Sequence, residues 1–209
     1  MNNTLQQLNW RYATKQYDTS KKLTDEQRHL IMETMRLSPS SFGLQPWKFI
    51  HVTTPELRQK LREAAWGQSQ VTDAAEFFVV ASKTSMDQAY VDHFLQVVAD
   101  TQGKPVEEFK GLHEMISGSV QARQSMIAEW NTRQVYIPVG FALAIAAEHG
   151  IDAGAMEGFD AQKIDEILGL KEQGLASRVL LGFGFRSPDD KYQHVKKVRF
   201  PAEEVFIEC

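Results

Sequence analysis

Ser38-Pro39-Ser40-Ser41-Phe42-Gly43-Leu44-Gln45-Pro46-Trp47 separates a helical pattern ending near Leu37 from a strand-like run, Trp47-Lys48-Phe49-Ile50-His51-Val52. Pro39, Gly43 and Pro46 rule out regular structure between the two. The stretch is therefore a rigid loop carrying two hydroxyls, an aromatic ring and an amide. Hydroxyls and free backbone N–H groups in such a loop can hold an anion or the polar edge of a ring. A Ser-rich helix-to-strand connection without a ligand would look the same, so the rest of the chain has to decide.

Outward from this loop, elements of both kinds are expected. On the N-terminal side, Thr24-Asp25-Glu26-Gln27 reads as a capping box opening the helix that carries Leu30, Ile31 and Met35. On the C-terminal side, a strand over 47–53 leads to Thr54-Pro55-Glu56, a helix start with Thr as cap and Pro in the first position. Phe77-Phe78-Val79-Val80-Ala81 is a continuous β-rich run, as expected of a strand buried on both faces. Val91, Phe94, Leu95 and Val98 mark a helix over 87–100, and 111–134 carries a weaker helical stripe. The apolar run from Val135 to Ala147 predicts a buried helix ending at Gly150. That run would span only about 20 Å, short of the roughly 30 Å of a hydrocarbon core. Asp160 and Gly169 bracket a further helix, and Arg178 to Phe185 reads as a strand.

The 209 residues are 43% hydrophobic and 24% charged with a net charge of -4, which suits one sizeable core and argues against nucleic-acid binding. No composition break divides the chain, so a single domain over 1–209 is expected. Its one cysteine, Cys209, cannot form an internal disulfide, and Met1 to Trp10 shows no basic-then-apolar signal pattern; a cytoplasmic setting follows as the expectation.

Two sets of cations stand out. Arg11 and Lys15 are four residues apart and can converge on one side of a helical turn or a tight loop. Lys197 and Arg199 share one side of an extended segment. Converging guanidinium and ammonium groups suit a phosphate, although each pair alone could be a solvated basic segment. Gln68 and Gln70, in the polar connection before the apolar strand, could each meet a heterocycle edge. The six histidines are scattered and no metal-ligand spacing is present. Gly182-Phe183-Gly184 lacks the third glycine of a dinucleotide fingerprint, and there is no P-loop, nucleophile elbow or repeat.

Four motifs in order carry a family likeness: Arg11 to Lys15, Ser38-Pro39-Ser40-Ser41 leading to Gln45-Pro46-Trp47, Met156-Glu157-Gly158, and Lys197-Val198-Arg199. Across essentially the whole chain the sequence resembles the FMN-dependent nitroreductase family, within it the oxygen-insensitive NAD(P)H nitroreductase and dihydropteridine reductase branch. The resemblance implies an α+β fold, a mixed and mostly antiparallel sheet surrounded by helices, in an intertwined homodimer with FMN at the subunit interface. It implies that Arg11, Lys197 and Arg199 bind the FMN phosphate and that Lys15 reaches the pyrimidine edge. Pro39, Ser40 and Ser41 would come from the other subunit. Met156, Glu157 and Gly158 would lie along the flavin ring, with backbone N–H groups near Glu157 facing N5; no side chain need act as acid or base.

The sequence also departs from the family's pattern. Tyr12 and Ala13 stand where the family more often has a basic residue or histidine and then serine, and Ala155 stands where close relatives carry proline. The flavin-touching asparagine has no clear counterpart, which leaves Gln68 and Gln70 as candidates. Phe42 replaces a smaller polar residue; with Met115 and Ile116 it is the candidate lining for the acceptor, although Met and Ile at helical spacing more often belong to a core.

The activity so implied is NAD(P)H-dependent reduction of nitroaromatics or quinones by ping-pong hydride transfer. A flavin reductase or another superfamily enzyme with a different acceptor is the alternative, and an FMN-binding protein without turnover is the alternative of another class.

Overall fold

The apolar run of residues 77–81 becomes the second strand of a four-stranded sheet in the computed structural model, which describes residues 3–209. The first two positions of the expected 1–209 domain lie outside the described residues. Strands β1 (Trp47–His51), β2 (Glu76–Lys83), β3 (Asp152–Met156) and β4 (Leu175–Gly184) are ordered β1-β2-β4-β3. All three pairings are antiparallel, so the sheet of one chain has no parallel pair among the described residues.

β2 is apolar on both sides because it faces two cores. Phe78 and Val80 pack with Ile31 and Met35 of α2 (Asp25–Arg36) and with Val135, Val139, Ala142 and Ala146 of α7 (Ile127–Glu148). Phe77 and Val79 pack on the opposite face with Leu61 and Ala64 of α3 (Pro55–Ala64) and Ile164 of α8 (Ala161–Leu168). Helices on both faces of an antiparallel sheet make this an α+β fold. A smaller cluster joins α5 (Gln88–Gln102) and α6 (Lys110–Ala122) to Leu44 of the Ser-rich loop.

Local chemistry sets most of the helix ends. The Thr24 side chain accepts from the Gln27 N–H while the Gln27 side chain accepts from the Thr24 N–H, closing the expected capping box. Asp160 caps α8, which stops at Gly169 with φ 59°, and α7 is followed by Gly150 with φ 67°. Thr54 precedes α3 as expected, but its hydroxyl makes no cap bond.

Two expectations need correction. The polar connection before β2 contains a helical turn, α4 (Gln70–Asp73), where Asp73 N donates to Ser69 O. More substantially, the stripe over 111–134 is not one helix. It breaks at Arg123–Met126, where the Gln124 side chain bonds the Met86 carbonyl, and α7 then runs unbroken from Ile127 through the buried segment. Pro138 sits inside α7, where it costs one amide donor and burial of the flanking turns offsets the loss.

Candidate cofactor site

The sheet ends that carry Asp152 and Gly184 receive two irregular segments, 11–16 and 186–199. The first begins where α1 (Asn3–Trp10) stops and docks on β3 through the Thr14 N–H and the Ala153 carbonyl at 3.4 Å. The second begins at Arg186, whose guanidinium is clamped three ways. It pairs with Asp152 at 2.6 Å and lies over the rings of Trp10 and Tyr12 at 4.1 and 4.6 Å. Asp152 is itself buried at the start of β3, so a strand terminus fixes this cation.

Asp190 joins the two segments. Its carboxylate accepts from the Tyr12 hydroxyl at 2.8 Å and from the backbone N–H groups of Lys15 and Gln16 at 2.8 and 3.1 Å. Burial works to raise its pKa, but the donors from Lys15, Gln16 and Tyr12 outweigh burial and hold it below the ordinary carboxylate value. The Tyr12 phenol is pushed the other way, upward, by burial and by its bond to the same carboxylate.

Between the segments lies a cleft of about 510 Å³ lined by Arg11, Lys15, Lys196, Lys197 and Arg199. Among the described residues none of these cations has a carboxylate partner. Lys197 donates its ammonium to the Arg11 carbonyl, which brings the two side chains together. Burial, then repulsion from Arg199, lowers the pKa of Arg11; burial, then Arg11 and Arg199, lowers that of Lys197. The Arg11 Nε is buried without a hydrogen-bond partner. A buried donor without an acceptor, among cations that destabilise one another, fits an incoming anion with several oxygens. The phosphate of FMN, with close to two negative charges, meets that description.

The other expected site residues fall elsewhere. Met156 ends β3 and is buried, and Glu157 follows at the surface, where its carboxylate accepts from the Tyr136 hydroxyl at 2.5 Å. Gly158 lies under the indole of Trp66, and a Cβ there would come within 3.1 Å of that ring. Gln68 donates to the Gly158 carbonyl at 2.6 Å, whereas Gln70 is buried in α4. Ser40 is held within its own loop, where its hydroxyl accepts from the Gln45 N–H, whereas the Ser41 N–H donates to Gln134 of α7. Phe42 and Gln45 adopt positive φ of 56° and 47°, a costly backbone region that the hydrogen bonds across this tight turn hold in place. This loop, with Pro39, does not line the cationic cleft of its own chain.

Of the three acceptor-lining candidates, Phe42 and Met115 are partly exposed, at 36% and 54%. Ile116 is a correction. It is fully buried among Leu44, Met86, Val91 and Leu95, so it serves the α5–α6 core and offers no surface to a substrate. Conversely, Asp190, Arg186, Gln134, Tyr136 and Trp66 escaped the sequence reading. The pairing of Asp190 with residues 12–16 has no local signal, since its partners lie more than 170 positions away.

An antiparallel sheet covered by helices, with a cluster of cations lacking carboxylate partners at one end, defines an α+β protein with a cationic cleft. The nitroreductase family model matches residues 8–185, and the chain belongs to this family, which makes it an oxidoreductase. It is 34% identical over 206 residues to a Staphylococcus haemolyticus protein provisionally named an NAD(P)H nitroreductase, covering 94% of this chain and 93% of that one. The oxygen-insensitive NAD(P)H nitroreductase of Enterobacter cloacae is 33% identical over 208 residues, covering 95% and 96%. Among solved structures, a provisionally named nitroreductase of Exiguobacterium sibiricum in complex with FMN superposes with a TM-score of 0.83 at 21% identity, over 100% of this chain and 98% of that one. Asp190, Lys197 and Arg199 lie beyond the matched residues of the family model.

No helix among the described residues is long and apolar enough to cross a membrane.

Proposed function

We propose that this protein is an FMN-dependent NAD(P)H oxidoreductase that reduces nitroaromatics or quinones, with the nicotinamide donor and the acceptor using one site in turn. The observation that carries the reading is the unpaired cluster of Arg11, Lys197 and Arg199 with its buried, partnerless Arg11 Nε. In this reading Arg11, Lys197 and Arg199 grip the phosphate, and Tyr12 and Ala13 line the cleft beside it. Lys15 lies at the pyrimidine edge, where a cation stabilises the negative charge that develops on hydride uptake. Met156, Glu157 and Gly158 border the ring with their backbone, and Gln68 holds the Gly158 carbonyl in place. The hydride chemistry itself belongs to the flavin; the chain supplies binding, orientation and field.

The reading includes a cytoplasmic homodimer. Tyr136 and Phe141, 43% and 47% exposed, rim an apolar groove on α7 with Ile137, Gly140, Ala144 and Ile145. Phe200, Phe206 and Ile207 near the C-terminus are more than 70% exposed. Apolar surface of that extent supports a partner. A partner would also account for Pro39, Ser40, Ser41 and Phe42, which would then complete the site from the other subunit.

The visible absorption spectrum of the purified protein, followed by anaerobic addition of NADPH or NADH, tests the proposal. Flavin bands that bleach on addition are the expected result. A colourless protein that takes up no added FMN would sink it, and bound FMN that dithionite reduces but neither nucleotide does would leave binding without turnover.

A further inference from the structure

The two segments that Asp190 links carry the two halves of the cation cradle. Its side chain is almost wholly buried. Oδ2 accepts from the Tyr12 hydroxyl and from the N–H groups of Lys15 and Gln16, at 2.8, 2.8 and 3.1 Å. Oδ1 accepts from the Tyr192 N–H at 3.0 Å and so caps the turn Lys191–His194. The first three donors flank Arg11 and Lys15, while the capped turn leads directly to Lys197 and Arg199.

We propose that Asp190 is the positioning residue of the cofactor site, one carboxylate that sets the spacing between Arg11 and the Lys197–Arg199 pair. Neither segment belongs to the sheet or to a long helix; besides Asp190, the Ser187 N–H to the Gln16 carbonyl and the Lys197 ammonium to the Arg11 carbonyl join them. Their cations repel, and repulsion would spread an untethered cradle. Three hydrogen bonds from the first segment to one charged acceptor oppose that spreading, while the fourth, from Tyr192, holds the carboxylate within its own turn; bonds to an ionised group are about twice as strong as neutral ones. An amide at this position keeps one acceptor oxygen but turns an NH₂ group toward donors. Asp190 does not line the cleft; it acts through Arg11, Lys15 and Lys197, which do. The inference rests on the FMN reading of the cleft.

The test compares wild type, Asp190→Asn, Arg11→Ala and the double variant after FMN has been removed, with FMN affinity measured by flavin fluorescence. Asp190→Asn should weaken binding about tenfold or more. Arg11→Ala should cost roughly 10- to 150-fold in wild type but less than about threefold when Asp190→Asn is already present, because a splayed cradle no longer uses Arg11 fully. Hydrogen exchange of the cofactor-free proteins should quicken in peptides covering 11–16 and 191–199 and stay unchanged in β2 and α7. A general loss of stability would quicken all of them.

Should Asp190→Asn not fold, Tyr12→Phe removes one donor of the four and should weaken FMN about threefold with the same coupling to Arg11. Wild-type affinity in Asp190→Asn, or in Tyr12→Phe where only that variant folds, would overturn the inference and leave the FMN reading intact. Losses that multiply, with exchange unchanged, would do the same. A wild-type protein that binds no FMN would overturn both.

Discussion

In the proposed reading Arg11, Lys197 and Arg199 illustrate a trade that single residues make at a ligand site. Without the ligand their charges repel, and burial lowers the pKa of Arg11 and Lys197 further. Arg199→Ala should therefore weaken FMN by roughly 1.5–3 kcal/mol while leaving the melting temperature of the FMN-free protein unchanged or slightly higher. Parallel fluorescence titration and thermal melts check both halves, and a marked drop in the FMN-free melting temperature would show Arg199 to be structural instead. Tyr136, on the α7 groove rather than in the cationic cleft, gives a pH signature of its own. Burial, with the hydrogen bond to Glu157, pushes its phenol from about 10 up to about 12. Because the folded value is the higher one, this bond's contribution is complete below pH 10 and is lost as pH rises through about 12. The difference between the alkaline absorbance titrations of wild type and Tyr136→Phe should show one phenol ionising near that upper value, whereas a step near 10 would contradict the bond.

At the scale of elements, β4 is held by a side chain from the irregular segment, Tyr17, whose hydroxyl donates to the Gly182 carbonyl. A Cβ on Gly184 would meet Tyr17 at 2.9 Å and the Ala75 nitrogen at 3.2 Å. Gly184→Ala should thus destabilise by about 1–3 kcal/mol through overpacking, since the buried ring and the backbone leading into β2 cannot both retreat. Gly118, exposed in α6 with nothing near an added Cβ, should behave oppositely and gain about 0.5–1 kcal/mol as alanine. Urea unfolding of the two variants reads both signs. The same elements show what the sequence makes legible. Where a signal is local, as in the Thr24 capping box, the Asp160 cap or the all-apolar core of β2, the expectation and the structure agree. Where the deciding contact is remote they part: α7 begins at Ile127 because Ile127 and Trp130 pack on the α5–α6 cluster and Asn131 bonds the Lys83 carbonyl, and Ile116 faces a core that periodicity cannot distinguish from a pocket wall. The cation cradle is half legible, since residue types and order mark Arg11, Lys197 and Arg199, but the clamp of Asp190 exists only through partners at the other end of the chain.

The whole molecule leaves apolar surface that one chain does not cover. The α7 groove and the C-terminal segment are exposed, and β1 and β3 are the outer strands of the sheet, the β3 edge partly covered by the segment at Thr14. Outer strands and apolar faces on one subunit invite association, and obligate interfaces of this kind commonly bury more than about 2,000 Å². In the proposed reading the site shares this dependence on a partner, because the cradle lies at one end of the sheet and the Ser40–Phe42 loop does not line it within one chain. If the loop of one subunit completes the site of the other, assembly and cofactor binding are a single linked equilibrium, and whatever weakens one weakens the other. Phe141→Glu puts a charge in the α7 groove, 47% exposed in the single chain and therefore tolerable to the fold itself. It should turn a dimer into a monomer in sedimentation velocity, lower FMN affinity by about tenfold or more, and let added FMN drive part of the dimer back. A folded Phe141→Glu monomer that bound FMN as tightly as wild type would mean that each chain owns a complete site. In that case the loop at Ser40 and Ser41 would be only the rigid connection between α2 and β1.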